Sequence, residues 1–288
     1  MKKVACIVVT YNRLALLKDC IESLRKQTNK DFDIIVVNNG STDGTEEWLS
    51  QQTDIKPITQ ANVGGAGGFY TGMKTAFEGG YEWIWMMDDD GLAAPSQLEN
   101  LLEGANNCNS KFVNALVCNV ASPNVLAFGL ASEGVSYATV NEAQKTVYIY
   151  DAINPFNGTL IHRDLIDKVG LIKKEMFIWG DEKEYTYRAR KAGFKQYTIT
   201  TALHYHPSIK SKQIRIIPFI GRFTVDVPTN KERAYIMYRN NGFLFHTYFP
   251  SREFKEKAKY AIYFISRLKF RELAEYFKYF NRGSRNIF

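Results

Sequence analysis

The residues best suited to chemistry are Asp88, Asp89 and Asp90, which close the apolar run Trp83-Ile84-Trp85-Met86-Met87. Three adjacent carboxylates repel one another unless a cation sits among them, and hard oxygen ligands select Mg²⁺ or Mn²⁺. An ion held there can bridge a diphosphate. The competing reading is an exposed acidic turn, but a buried strand seldom ends on three acids without a ligand. A second cluster, Asn62-Val63-Gly64-Gly65-Ala66-Gly67-Gly68-Phe69, follows a strand and opens a helix. Its glycines remove side chains where a ligand must approach the backbone, and a helix N-terminus favours anions. The spacing matches neither the Walker A nor the dinucleotide pattern, so it gives no support to a kinase, an ATPase or a nicotinamide enzyme. A third cluster, Asp181-Glu182-Lys183-Glu184, comes after Phe177-Ile178-Trp179. Acids at a helix start suit the macrodipole; the same acids beside apolar groups suit a general base. His204 and His206 complete the set, as core histidines or as nitrogen ligands.

Alternating strands and helices must position these groups. Val4–Thr10 is an apolar, β-branched run, followed by helical spacing through Leu16, Leu17, Cys20, Ile21 and Leu24. Phe32–Val37 reads as the next strand, and Ser41, Thr42 or Asp43 can cap a helix through Trp48 and Leu49. The order continues with Ile55–Thr59, a helix over Gly65–Phe77, and strand Trp83–Met87. Such alternation predicts an α/β fold with a parallel sheet whose ligands bind at the carboxyl ends of the strands. Beyond Asp90 a helix around Gln97–Glu103 leads to short apolar runs at Phe112–Val120, Val125–Leu130, Val147–Tyr150, Gly158–His162 and Gln196–Ala202, which predict a mixed-sheet half. Pro207–Pro228 reads as a hinge or loop.

The chain has 288 residues, 45% of them hydrophobic, enough for a full core, which excludes disordered, collagen-like and disulfide-scaffold classes. Cys6, Cys20, Cys108 and Cys118 lack C-x-x-C spacing, so the expectation is reduced thiols in the cytoplasm rather than a zinc cluster. The start of the chain has too short an apolar run for a secretion signal. The longest charge-free stretch, Phe112–Ser132, is broken by Asn114, Asn119, Ser122, Pro123 and Asn124, so no transmembrane segment is expected. Charge is uneven. Residues 1–206 hold 20 basic and 24 acidic residues, against 17 and 6 in 207–288. That basic third predicts an anionic surface as partner. Phe254, Ala258, Ala261, Ile265 and Leu268 alternate steps of four and three with Lys255, Lys257, Lys259, Arg267, Lys269 and Arg271 between them, the pattern of a basic amphipathic helix. Its readings are a solvated helix packed on its own domain, a face for self-association, or a membrane-surface element. Tyr260, Tyr263, Phe264, Phe270, Tyr276, Phe277, Tyr279 and Phe280 favour the membrane as interfacial aromatics. No nucleic-acid-binding module is recognisable, so no nucleic-acid partner is expected.

Taken in order, Thr10-Tyr11-Asn12-Arg13, Asn38-Asn39-Gly40-Ser41-Thr42-Asp43, Asn62 through Phe69, Asp88-Asp89-Asp90, Asp181 through Glu184, and His206 resemble the family 2 inverting glycosyltransferases of the GT-A fold. The resemblance implies a GT-A catalytic domain over residues 1–206, with a Rossmann-like nucleotide half and a mixed-sheet acceptor half, followed by C-terminal helices in 207–288. It implies that Thr10, Tyr11, Asn12 and Arg13 line the nucleobase pocket, that Asp43 contacts base or ribose, and that Asn39, Asn62, Gly64, Gly65, Asp88 and Asp89 lie along nucleotide and donor. It further implies that Asp88, Asp90 and His206 bind Mn²⁺ or Mg²⁺, and that Glu182 falls in the register of the base, with Asp181 as the neighbouring candidate. Tyr235, Tyr238, Arg239, Asn240 and Asn241 resemble the family's downstream helix on the acceptor side.

Within that family, G-G-A-G-G-F with W-M-M-D-D-D is similar to bacterial galactofuranosyl- and rhamnosyltransferases of capsule, O-antigen and cell-wall assembly. The implied donor is a UDP-sugar, with galactofuranose favoured and dTDP-rhamnose the alternative. The implied acceptor is a lipid-linked glycan, which would seat the enzyme peripherally at the inner face of the plasma membrane. Other users of a strand-end acidic cluster are a metal-dependent nucleotidyltransferase or phosphohydrolase, while a polysaccharide-binding protein would need none of the three carboxylates.

Overall fold

Period-two alternation explains why the first strand is apolar throughout. In Val4–Thr10 (β1), Val4, Cys6 and Val8 face one hydrophobic cluster while Ala5, Ile7 and Val9 face another, so both sides of the strand are covered. The computed structural model describes residues 3–208, 212–217, 220–228 and 230–288, and these divide into two compact units.

The first unit, Met1–Lys174 with Tyr185–Ile209, begins β1, α1 (Leu14–Arg25), β2 (Phe32–Asn38), α2 (Thr45–Ser50), β3 (Ile55–Thr59), α3 (Gly64–Glu78) and β4 (Trp83–Asp88). Parallel pairing in the order β3-β2-β1-β4 brings the ends of β1, β2 and β4 to one edge. The chain continues through β5 (Leu92–Ala93), α4 (Gln97–Asn107), β6 (Phe112–Asn119), β7 (Ser122–Ser132), β8 (Val135–Thr139), α5 (Val140–Ala143), β9 (Tyr148–Tyr150), β10 (Asn157–His162), α6 (Arg163–Val169), α7 (Asp181–Lys191) and β11 (Tyr197–His206). β10 lies antiparallel between β4 and β6, and β11 runs parallel to β6, giving the expected mixed half.

The charge-free stretch Phe112–Ser132 forms the strands β6 and β7, in keeping with its two apolar runs, and no helix among the described residues is long and apolar enough to cross a membrane. Two local expectations change. β11 extends four residues past Ala202, so His204 and His206 stand on the strand, on the same side of it. The glycines after Asn62 serve packing more than ligand approach: a Cβ at Gly68 would strike Val9, one at Gly67 would strike Val63, and one at Gly72, a turn further on, would strike Ile7. At Gly65 the space is open. Gly68→Ala is expected to cost about 1–3 kcal/mol through overpacking of α3 on β1, read as a lowered urea midpoint at unchanged slope.

The second unit contains Glu175–Glu184 and Lys210–Phe288, so the segment with the third acidic cluster departs from the 1–206 domain expected for it. The region expected as a loop forms an antiparallel hairpin of β12 (Lys212–Ile217) and β13 (Ile220–Val227), with residues 209–211, 218–219 and 229 outside the described set. Then follow α8 (Ala234–Tyr248), α9 (Pro250–Ile265) and α10 (Phe270–Ser284). Tyr260, Tyr263, Phe264, Tyr276 and Phe280, read above as interfacial aromatics, instead make the core with Tyr238 and Val225. Tyr260 and Tyr276 stack at 4.6 Å. Aromatic burial on this scale is what lets a small helical unit hold a core. Helices α8 and α10 touch backbone to backbone: a Cβ at Gly242 would meet the Phe280 carbonyl, and one at Gly283 the Arg239 carbonyl.

Candidate active site

At the shared edge of the parallel strands, the β1–α1 turn and the loop after β2 are joined by hydrogen bonds. Asn12, at φ 53°, donates its amide to Ser41 Oγ at 2.9 Å and accepts the Thr42 amide on Oδ1 at 2.7 Å. Asp43 does not cap the helix that follows it, which starts beyond the positive-φ Gly44; it accepts the Leu14 amide at 2.9 Å and the Thr45 hydroxyl at 2.5 Å. Against the desolvation its place imposes, those bonds hold Asp43 below the ordinary carboxylate range. Thr10, Tyr11, Asn12, Arg13 and Asp43 are thus brought together, with Tyr11 exposed.

Asn39 ties β2 to the glycine turn. Its amide nitrogen donates to the Gly64 carbonyl at 2.9 Å and to Asn62 Oδ1 at 3.3 Å, and its oxygen accepts from Gln60 at 2.9 Å. Asn62 in turn accepts the Gly64 amide, in a turn where Gly64 has φ 77°. Residue type at Gly64 is therefore set by backbone conformation.

The three aspartates are not equivalent. Asp89 is buried and turned inward, accepting from Thr10 Oγ1 at 2.8 Å and Arg13 Nη1 at 3.2 Å, which fastens the end of β4 to the end of β1. Arg13 also pairs with Asp90 at 3.0 Å, so its guanidinium lies on the acidic turn. Asp88 and Asp90 converge with His206, each offering a ligand atom within 4.8 Å of the others. His206 Nε2 is 3.0 Å from Asp90 Oδ1, while Nδ1 donates to the Pro207 carbonyl at 2.7 Å. That second bond orients the ring and leaves Nε2 toward the carboxylates, the arrangement typical of a metal-binding histidine. Burial, then the charges of Asp90 and Asp89, push Asp88 up to about 7. Two oxygen donors and one nitrogen donor, with negative charge crowded among them, fit a divalent cation.

His204 is fully buried one pleat deeper. Its Nδ1 is 3.3 Å from Gln97 Oε1, and burial lowers its pKa to about 3, so it is a neutral core residue. The ring occupies the space a Cβ at Gly91 would need, which explains a glycine directly after the aspartates.

In the second unit, the turn before α7 carries positive φ at Phe177 (68°), Trp179 (65°) and Gly180 (94°). Non-glycine residues hold such conformations only where surroundings over-determine them. Asn240 does so: its amide nitrogen donates to the carbonyls of Met176, Ile178 and Trp179 at 2.9, 3.0 and 2.9 Å. Arg239 donates to the carbonyls of Glu175 and Met176 and to Asn240 Oδ1. Glu182 Oε2 accepts the Gly180 amide at 3.1 Å, and Glu184 Oε1 accepts the Tyr248 hydroxyl at 2.8 Å. Asp181 and Glu184 are buried, at 5% and 3% exposure, whereas Glu182 is half-buried. The supporting role of Tyr248 had no signal in the sequence, because it stands 64 residues from its partner.

The model of glycosyl transferase family 2 matches residues 5–121. The chain is 31% identical, over 84% of its length and 82% of the relative's, to galactofuranosyltransferase GlfT1 of Mycolicibacterium smegmatis. Among solved structures, residues 1–349 of TarS from S. aureus superpose with a TM-score of 0.60 at 16% identity, covering 98% of this chain and 81% of that one. The mannosyltransferase PcManGT from Pyrobaculum calidifontis, solved with GDP-Man and Mn²⁺, gives 0.52 at 15%, covering 87% and 64%. The fold is that of GT-A glycosyltransferases.

Proposed function

Because the chain belongs to glycosyltransferase family 2, and is accordingly an enzyme that moves sugar from a nucleotide-sugar to a glycan acceptor, we propose that it transfers galactofuranose from UDP-galactofuranose with inversion. The acceptor in this reading is a lipid-linked glycan of bacterial surface polysaccharide synthesis, met at the inner face of the plasma membrane. The observation that carries the donor is the extended similarity to a mycobacterial galactofuranosyltransferase.

Asp88, Asp90 and His206 would hold Mn²⁺ or Mg²⁺, and that ion would supply counter-charge to the diphosphate. The chain's own residues supply the rest. Thr10 through Arg13 with Asp43 and Asn39 hold the nucleotide in a preformed, hydrogen-bonded frame, and the glycine turn lies along the donor. A carboxylate at the start of α7 takes the proton of the acceptor hydroxyl as it attacks the anomeric carbon from the side opposite the leaving diphosphate. Glu182 is the better base on exposure, because an acceptor hydroxyl must reach it and Asp181 is 5% exposed. Glu182→Gln is expected to lower kcat by at least about 10²-fold with little change in donor KM, and Asp181→Asn to lower it less. The opposite order would transfer the role to Asp181.

The donor is tested by thermal shift and nucleotide release with UDP-galactofuranose, UDP-galactopyranose, UDP-glucose and dTDP-rhamnose, each with and without Mn²⁺. Metal-dependent stabilisation and turnover with UDP-galactofuranose alone is the expected result. Preference for dTDP-rhamnose would make the enzyme a rhamnosyltransferase on the same machinery, and nucleotide release without glycan product would point to phosphohydrolysis.

A further inference from the structure

The outward face of α9 has a composition that packing does not explain. Phe254 is 82% exposed and Leu268, just past the helix, 77%, with Ile262, Ile265 and Phe270 also exposed. Phe254, Ala258, Ala261 and Ile265 recur at helical spacing, so these groups form one stripe about 16 Å long, opposite the face that buries Tyr260, Tyr263 and Phe264. The helix has therefore satisfied its core with its aromatics and still carries a second apolar face.

The exposed charges of α9 have one sign. The two acids of α9 are drawn away from it: Glu253 accepts from His246 and Lys257, and Glu256 pairs with Lys259, leaving their side chains 17% and 11% exposed. Lys255 stays exposed next to Phe254, Arg252 is exposed on the other side of the helix, and Arg271 follows Phe270 directly before the exposed acid Glu272. Residues 207–288 as a whole hold 17 basic and 6 acidic residues. Two copies meeting through this stripe would set cations against cations, whereas anionic lipid headgroups complement the cations and accept the apolar groups between them.

We propose that this stripe, from Phe254 along α9 to Phe270, is the face by which the enzyme lies on an anionic lipid bilayer, with Phe254, Ile265, Leu268 and Phe270 entering the headgroup boundary and Lys255 and Arg271 on the phosphates. The proposal deepens the reading of a lipid-carried acceptor by naming the surface that finds it. Its test involves no sugar transfer, so either can fail without the other.

The full chain is sedimented with phosphatidylcholine vesicles and with mixed phosphatidylcholine–phosphatidylglycerol vesicles, while sedimentation velocity without lipid reports the oligomeric state. Wild type is expected to partition onto the mixed vesicles and not onto the neutral ones. F254S/L268S is expected to cut that partitioning by more than about tenfold, and K255E/R271E by about fivefold or more for each cation lost. All these positions are exposed, so circular dichroism and thermal midpoint should match wild type. Unchanged partitioning of both variants, absence of wild-type partitioning, or a wild-type dimer that F254S/L268S dissociates without any vesicle binding would each overturn the proposal.

Discussion

Asp90→Ala is expected to lower kcat/KM for sugar transfer by about a thousandfold or more while the protein still folds. Asp90 meets His206 and, with Asp88, supplies two of the three ligand atoms that lie within 4.8 Å. Its removal leaves an incomplete donor set, and metal titration by calorimetry should show the loss directly. Asp89→Asn provides the contrast. Its carboxylate faces Thr10 and Arg13 rather than the ligand cluster. The variant should lose about 1–3 kcal/mol of stability through a weakened buried bond but keep metal affinity within a few-fold. Equal loss of metal binding in the two variants would mean that all three carboxylates act as one cluster, contrary to the geometry.

Asn240→Asp is expected to be the most damaging change outside the acidic turn. The amide nitrogen serves three carbonyls, and a carboxylate of the same shape would turn an acceptor onto all of them, costing about 3 kcal/mol or more. The backbone it holds is in left-handed conformations at Phe177 and Trp179, so release of the clamp lets the turn relax. Activity should then fall in kcat by about 10²-fold or more with donor KM nearly unchanged, because the hydrogen bonds of the proposed nucleotide frame include none of those Asn240 makes. A variant that melts earlier yet keeps wild-type kcat at low temperature would show that the turn's geometry does not matter to the reaction.

The parts of this architecture legible from sequence are those encoded within one element. The run ending at Asp88-Asp89-Asp90 declares a buried strand and a charged end together, and the alternation from Val4 to Met87 gives the parallel half because β1, β2 and β4 are buried on both faces, with the more exposed β3 at the edge. Where one residue type serves two purposes, sequence misleads. Glycine at positions 67 and 68 has the look of a ligand loop, yet Gly68, like Gly72 a turn on, lets α3 lie close on β1, and Gly67 makes room for Val63 at the start of its own helix. Aromatics from Tyr260 to Phe280 suit a lipid interface or a core equally, and only the packing of α8, α9 and α10 decides. The inequality of the three aspartates depends on Thr10 and His206, and the placement of Glu175–Glu184 depends on Asn240. Those partners are 61 or more residues distant, beyond any local pattern.

That distance also bears on synthesis. The turn before Asp181 leaves the ribosome well ahead of the helix that clamps it, since Met176 precedes Asn240 by 64 residues. At about 5–20 residues per second the nascent chain spends roughly 3–13 s with this turn made and unheld. During that interval the strained backbone has no reason to adopt its final form. The strands β1 to β4, at whose ends the proposed nucleotide site lies, can pair as they emerge, but on the same proposal catalytic competence waits for Asn240, so a chain arrested short of it would bind donor before it could use it.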